Sequence, residues 1–224
     1  MDVFQRVNSS ATCRGMRVVS KKSCNFAGMK QEKGKICVFA ASSNNIDNVF
    51  IDQAYELGKI MSERGWGCVN GSGKVGLMRA VSDGVLDNGG LVTGVIPKFM
   101  VDNDWGYDRV SEEIITCDMH DRKQMMSDLA TAFIALPGGC GTLEELLEAI
   151  TWRQLAIITK PIVILNTAGF YTPLIEMLNQ CMARGFMKTT HACLWNVANT
   201  PQQAIDIIEQ QLEQGVAVSD TKFF

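Results

Sequence analysis

Short apolar runs alternate with amphipathic stretches along most of this chain. The runs at 35–42, 66–70, 91–96, 114–116, 133–136 and 161–165 have the composition of buried strands. Between them apolar residues recur every three or four positions: Phe50, Ala54, Leu57 and Ile60; Leu77, Met78, Val81 and Val85; Leu143, Leu146, Leu147, Ile150 and Leu155. That spacing predicts helices. Further helices open at Met119, run over 173–183 to a stop at Gly185, and begin at Pro201 behind the N-cap Thr200. Residues 192–197 read as a last strand and 98–111 as an irregular link. The alternation predicts an α/β fold, a doubly wound, Rossmann-like parallel sheet with helices on both faces. One domain over 35–213 follows. Residues 1–34, which lack periodicity, are expected to be a poorly ordered tail, and 214–224 a second tail.

In such sheets ligands bind beyond the carboxyl ends of the strands. Three turns end there: Ser42-Ser43 after the first run, Gly71-Ser72-Gly73 after the second, and Gly138-Gly139-Cys140-Gly141 after the fifth. The last lies between an apolar strand and a helix. Its glycines let backbone N–H groups crowd round a ligand, and the helix N-terminus adds unpaired donors and partial positive charge. An anion, most simply a phosphate, is expected there. Thr142-x-x-Glu145 also fits a capping box, and a capped glycine turn can hold phosphate too. Gly71-x-Gly73-x-x-Gly76 has dinucleotide-binding spacing but follows the second strand, and no G-x-x-x-x-G-K-[ST] run is present.

Composition narrows the options. With 224 residues, 46% apolar and 20% charged, the chain reads as a soluble globular protein. No apolar stretch approaches the ~20 residues of a membrane helix, so no membrane partner is expected. The net charge of −3 is uneven: residues 1–34 carry +5 and the body −8. An acidic body argues against nucleic acid as a partner. The eight cysteines form no C-x-x-C pair, and no metal motif accompanies His120 and His191. We expect reduced core cysteines, a cytoplasmic location, and neither metal nor cofactor.

Two charged side chains complete the picture. Arg122 opens one helix, and Glu145 lies in what reads as the first turn of the helix behind the glycine turn. A guanidinium, a carboxylate and a phosphate nest together suit cleavage of a phosphorylated sugar. In a first turn, the helix dipole would favour ionised Glu145.

The run Pro137-Gly138-Gly139-Cys140-Gly141-Thr142-x-x-Glu145 resembles the P-G-G-x-G-T-x-x-E signature of the LONELY GUY (LOG) family. Met119-His120-Asp121-Arg122-Lys123 is similar to that family's M-H-x-R-K segment. Val75 to Met78, Gly94 to Lys98 and the stretch around Thr151-Trp152 are similar as well, so the resemblance covers roughly 35–213. It implies hydrolysis of the N-glycosidic bond of a nucleoside 5′-monophosphate, a cytokinin riboside 5′-monophosphate or AMP, to free base and ribose 5-phosphate. It implies Arg122 and Glu145 as the catalytic pair and Gly139, Gly141 and Thr142 as the phosphate loop, with Gly138 beside them; Cys140, in the same glycine turn, is a candidate contact from its place there. Lys123 and Thr151 correspond to substrate-contacting positions; Ser42 and Gly73, in the other two turns, are substrate-binding candidates from the convergence of the turns alone. Asp104 stands where the family usually has Glu and is carried over as a substrate contact. The family's second loop, G-G-G-S-x-G-L-M-G, here reads Gly71-Ser72-Gly73-Lys74-Val75-Gly76-Leu77-Met78-Arg79, which places two extra charges near the ligand edge.

Members of the family are often labelled lysine decarboxylases. A pyridoxal-phosphate enzyme needs a Schiff-base lysine, and none stands out. The alternative is a protein that binds a nucleotide without cleaving it, with Glu145 only capping its helix. Apolar positions nearly all round 143–157 predict either central burial or a shared surface. The resemblance points to a homodimer or larger assembly whose sites are finished by the neighbouring copy.

Overall fold

The computed structural model describes residues 17–20 and 33–215. In chain order they form β1 (Arg17–Ser20), β2 (Gly34–Phe39), α1 (Asn48–Glu63), β3 (Trp66–Asn70), α2 (Gly76–Asp87), β4 (Val92–Pro97), α3 (Lys98–Asp102) and β5 (Glu112–Thr116). Then follow α4 (Met119–Leu129), β6 (Ala132–Ala135), α5 (Cys140–Gln154), β7 (Ile162–Leu165), α6 (Thr172–Ala183), β8 (Asn196–Ala198) and α7 (Pro201–Gln214).

The strands make one sheet in the order β1-β5-β4-β3-β2-β6-β7-β8. Strands β2 to β8 run parallel, in the Rossmann-like α/β arrangement that the apolar runs predict. Alternate residues of the central strands enter separate cores, as parallel strands covered on both faces require. Ile36, Val38, Ala132 and Ile134 pack in one core with Leu57, Val81 and Ile205 from α1, α2 and α7. Cys37, Phe39, Phe133 and Ala135 pack in the other with Met126, Leu146 and Leu178 from α4, α5 and α6.

Several expectations are corrected. Arg17–Ser20, inside the expected tail, is an edge strand that pairs antiparallel with β5, Val18 against Ile114. Such a strand is held by backbone bonds and needs no apolar periodicity. The rest of the expected tails, 1–16, 21–32 and 216–224, lies outside the described residues. The irregular link contains α3, and residues 189–194 form a 3₁₀ turn ahead of a strand at 196–198. The cysteines are not uniformly core residues: Cys37 and Cys68 are buried, whereas Cys117, Cys140 and Cys193 are exposed. No helix among the described residues is long and apolar enough to cross a membrane.

Candidate active site

The strand order reverses between β2 and β6, the position where open α/β sheets bind ligands. Backbone bonds draw the turns together there. Leu136 N donates to Phe39 O (2.9 Å), Ala41 N to Pro137 O (3.2 Å) and Met78 N to Ala41 O (3.1 Å). The turns after β2, β3 and β6 therefore share one edge, as their sequence positions predict.

Arg122 reaches this edge from α4. The N-cap Asp118 fixes that helix's first turn, its Oδ1 accepting from His120 N (2.8 Å) and Asp121 N (2.9 Å). The Arg122 side chain is 7% exposed. Its Nε donates to Val95 O of β4 (3.2 Å) and its Nη1 to Glu145 Oε1 of α5 (3.1 Å). On another side it lies against Gly71, where a Cβ would stand 1.7 Å from Nη2. Gly71 lies in the second of the three turns expected at the ligand edge, without being singled out within it. Its place in a glycine turn was visible, but not which side chain it would meet.

Glu145 is also 7% exposed. Helix α5 starts at Cys140, so Glu145 is its sixth residue and not in the first turn. The dipole effect fades within the first turn. Burial instead pushes the Glu145 carboxyl above its ordinary value of 4.5, and the Arg122 charge opposes that rise. The expected dipole-favoured ionisation is thus replaced by a carboxylate that takes up a proton more readily and is held by a buried cation. The capping box is not formed either. Gly139 is the N-cap, no side chain caps the end, and Thr142 is the third helical residue.

That bare helix end is open. Gly139, Cys140 and Gly141 are exposed, and a Cβ on Gly139 or Gly141 would meet nothing within 4 Å. Gly138 has a different reason to be glycine. A Cβ there would come 2.1 Å from Thr142 Oγ1, so Gly138 lets the buried Thr142 fold back under the loop. Unobstructed N–H groups at a helix N-terminus can hold a phosphate or carboxylate.

The other expected contacts are distributed differently. Lys123 is engaged by α5: its Nζ donates to Glu144 and lies 3.0 Å from Glu148 Oε2, bracing α4 against α5. Thr151 is exposed, and its Oγ1 donates to Leu147 O (2.8 Å). It is nine residues beyond Thr142, ~13.5 Å along the helix axis, so this chain does not bring it to its own glycine loop. Asp104 holds Lys74 at 2.6 Å, so the two departures from the family pattern pair with each other. Gly73 bridges to Gly106, on the loop that carries Asp104, and Ser42 is exposed in the turn after β2. Arg79 turns away from the edge: it pairs with Asp83 (3.2 Å) and lies over the Tyr107 ring. It lines a cavity of about 400 Å³ between α1 and α2, shared with Ser43, Tyr55, Asp83 and Arg109 but with neither Arg122 nor Glu145.

Helix α5 buries Leu146, Ala149 and Ile150, whereas Leu147 and Leu155 are exposed, as is Ile157 just beyond it. It is therefore not centrally buried within this chain. Among the described residues no group of three or more His, Cys, Asp or Glu side chains is placed to hold a metal ion.

A family model described as "Possible lysine decarboxylase" matches residues 78–208. The chain is 44% identical over 177 residues to the probable cytokinin riboside 5′-monophosphate phosphoribohydrolase LOGL1 of Oryza sativa subsp. japonica, covering 79% of each protein. It is 40% identical over 186 residues to the cytokinin riboside 5′-monophosphate phosphoribohydrolase LOG4 of Arabidopsis thaliana, covering 83% of this chain and 86% of that protein. Among solved structures, the molybdenum cofactor carrier protein from Chlamydomonas reinhardtii matches with a TM-score of 0.60 at 26% identity, over 81% of this chain and 99% of that one.

Proposed function

The chain belongs to the LONELY GUY (LOG) family, and on that premise we propose that it hydrolyses the N-glycosidic bond of a nucleoside 5′-monophosphate at the Arg122–Glu145 site. The products are a free base and ribose 5-phosphate. A cytokinin riboside 5′-monophosphate or AMP is the substrate this reading names.

The observation that carries the proposal is the buried Arg122–Glu145 pair behind an open helix N-terminus. The 5′-phosphate takes the N–H groups of the loop Gly138 to Thr142 and the positive end of α5. Glu145 lies about 7.5 Å of helix rise beyond Cys140, comparable to the span of a ribose 5-phosphate. As the glycosidic bond breaks, its electron pair leaves with the base and positive charge builds at the anomeric carbon. Ionised Glu145 stabilises that charge and takes a proton from the attacking water, whose oxygen bonds to the anomeric carbon. The departing base gains a proton from solvent and Glu145 afterwards releases the proton it took, so that one water is consumed for each bond broken. Arg122 keeps Glu145 ionised, orients the sugar and assists departure of the base. Asp104, with Lys74, borders the base end.

We further propose a homodimer. Leu147, Leu155 and Ile157 are 39%, 48% and 64% exposed, and Thr151 lies on the same face of α5. A second copy on that face would cover the apolar stripe and carry Thr151 to the neighbouring site. Buried reduced thiols at Cys37 and Cys68 agree with a cytoplasmic location.

The nucleotide-binding alternative needs Glu145 to act as a cap, and its burial against Arg122 speaks against that. Lysine decarboxylation needs a lysine beside the phosphate loop. Lys123 is committed to Glu144 and Glu148. Lys160, whose Nζ donates to Ser127 O, precedes β7 at the opposite edge of the sheet.

The test is to incubate the protein with AMP, isopentenyladenosine monophosphate and the corresponding nucleosides. Free base and ribose 5-phosphate are expected from the monophosphates. Nucleosides should react far more slowly, because each well-made charge-assisted bond to phosphate is worth roughly 1.5–3 kcal/mol. Nucleotide binding with no base release would overturn the proposal.

A further inference from the structure

The turn after β3 sets the position of Gly71, and Gly71 forms one wall of the Arg122 guanidinium slot. That turn carries an unfavourable feature. Ser72 has φ +58°, the left-handed region that favours glycine. The residue is 1% exposed, so the conformation must be held from within.

A buried polar network holds it. Asn70, fully buried at the end of β3, accepts from Ser72 N through Oδ1 (2.9 Å). Its Nδ2 donates to Ser82 Oγ (2.8 Å), and Ser82 Oγ donates to Met78 O (2.9 Å), anchoring the amide to α2. Tyr107 N donates to Ser72 O (2.8 Å). Gly94 leaves room beneath, since a Cβ there would stand 2.6 Å from Ser72 Oγ. Side-chain amides of Asn can stabilise such turns by bonding their own backbone two residues on.

We propose that Asn70 is a positioning residue for the reaction: its amide locks the left-handed turn at Ser72, which seats Gly71 against Arg122 and fixes the guanidinium toward Glu145. Asn70 touches neither substrate nor reacting atoms. Its effect passes through the backbone of 71–72 to Arg122. A glycine at position 72 would adopt the same backbone conformation unaided, so the dependence on Asn70 belongs to the serine found here. The proposal rests on the phosphoribohydrolase reading for its kinetic readout and has a second readout independent of it.

The experiment compares Asn70→Ala, Ser72→Gly and the double variant, well below their melting temperatures. Asn70→Ala should lower kcat on AMP or isopentenyladenosine monophosphate at least tenfold while KM changes less than threefold, because the phosphate loop is untouched. Ser72→Gly alone should stay within threefold of the parent. The double variant should regain at least threefold of the lost kcat. In parallel, the Arg122 Nε–H resonance, assigned by its loss in Arg122→Lys, should lose protection from solvent exchange in Asn70→Ala and recover it in the double variant. A parent-like kcat and Nε–H signal in Asn70→Ala overturns the proposal, as does a double variant no better than Asn70→Ala on both readouts. If the parent releases no base, the phosphoribohydrolase reading fails, and the Arg122 resonance alone decides the role of Asn70.

Discussion

The guanidinium of Arg122 and the carboxylate of Glu145 meet at 3.1 Å, with only 7% of each side chain exposed. Neither ion would be stable at that depth alone, and a buried pair tolerates the loss of one partner poorly. The pair is therefore a structural commitment of α4 to α5 as well as the proposed reactive element.

Glu145→Gln keeps the shape and removes the charge. Turnover should fall by ~10²–10⁴-fold, the usual contribution of a positioned acid–base group. Phosphate binding should persist, because the glycine loop is separate. Base release and the dissociation constant for ribose 5-phosphate, measured on one preparation, check this.

The raised pKa of Glu145 has a pH signature. The folded protein binds this proton more tightly than the unfolded chain does. Between the ordinary value of 4.5 and the higher folded value, Glu145 therefore makes stability fall as pH rises. The acid limb of kcat should accordingly have its midpoint above 4.5, and the Glu145→Gln variant should lack that component of the stability profile. Urea melts and initial rates across the acid range measure both.

Gly138→Ala and Gly139→Ala should behave oppositely. The first would force a methyl to 2.1 Å from Thr142 Oγ1, and overpacking of this kind costs about 1–3 kcal/mol. The second has open space and should melt like the parent, yet raise KM for the monophosphate because its methyl occupies the ligand's approach. Thermal melts alongside KM values separate the two.

Sharing of sites between copies can be read from hybrids. Glu145→Gln and Thr151→Arg variants should each be impaired alone. Mixed and allowed to exchange subunits, they should form hybrids with one intact site and regain activity. A monomeric mass at micromolar concentration, or no recovery on mixing, would remove the dimer from the account.

Arg122→Lys should lose more than a tenfold factor in turnover although the charge is kept. A single ammonium cannot donate along the directions that Nε and Nη1 take to Val95 and Glu145. Steady-state kinetics of this variant checks the requirement for a planar fork.

The parallel strands and the convergence of three turns were legible because they rest on periodicity and glycine placement, both local properties. The start of α5 was not. Cys140, Gly141 and Thr142 carry no apolar spacing, so periodicity alone starts the helix later and puts Glu145 in its first turn, whereas it is the sixth residue. The Lys74–Asp104 and Lys123–Glu144 pairs join residues far apart in the chain, and nothing in the spacing announces them. The left-handed Ser72 was hidden for a related reason: its conformation is imposed by a buried amide and accommodated by the missing side chain at Gly94, whose place Ser72 fills.

Strand β1 gives the amino-terminal stretch a protective task. It occupies the outer edge of β5 from Glu112 to Ile115. Shortening the chain to residues 33–215 would strip that cover and leave the β5 edge with unpaired N–H and C=O groups, the template on which sheets join edge to edge. Such a shortened protein would keep every residue of the Arg122–Glu145 site and still be prone to sticking to itself through added strands. Over four residues, the stretch expected to be a loose tail is thus part of the sheet and covers its β5 edge.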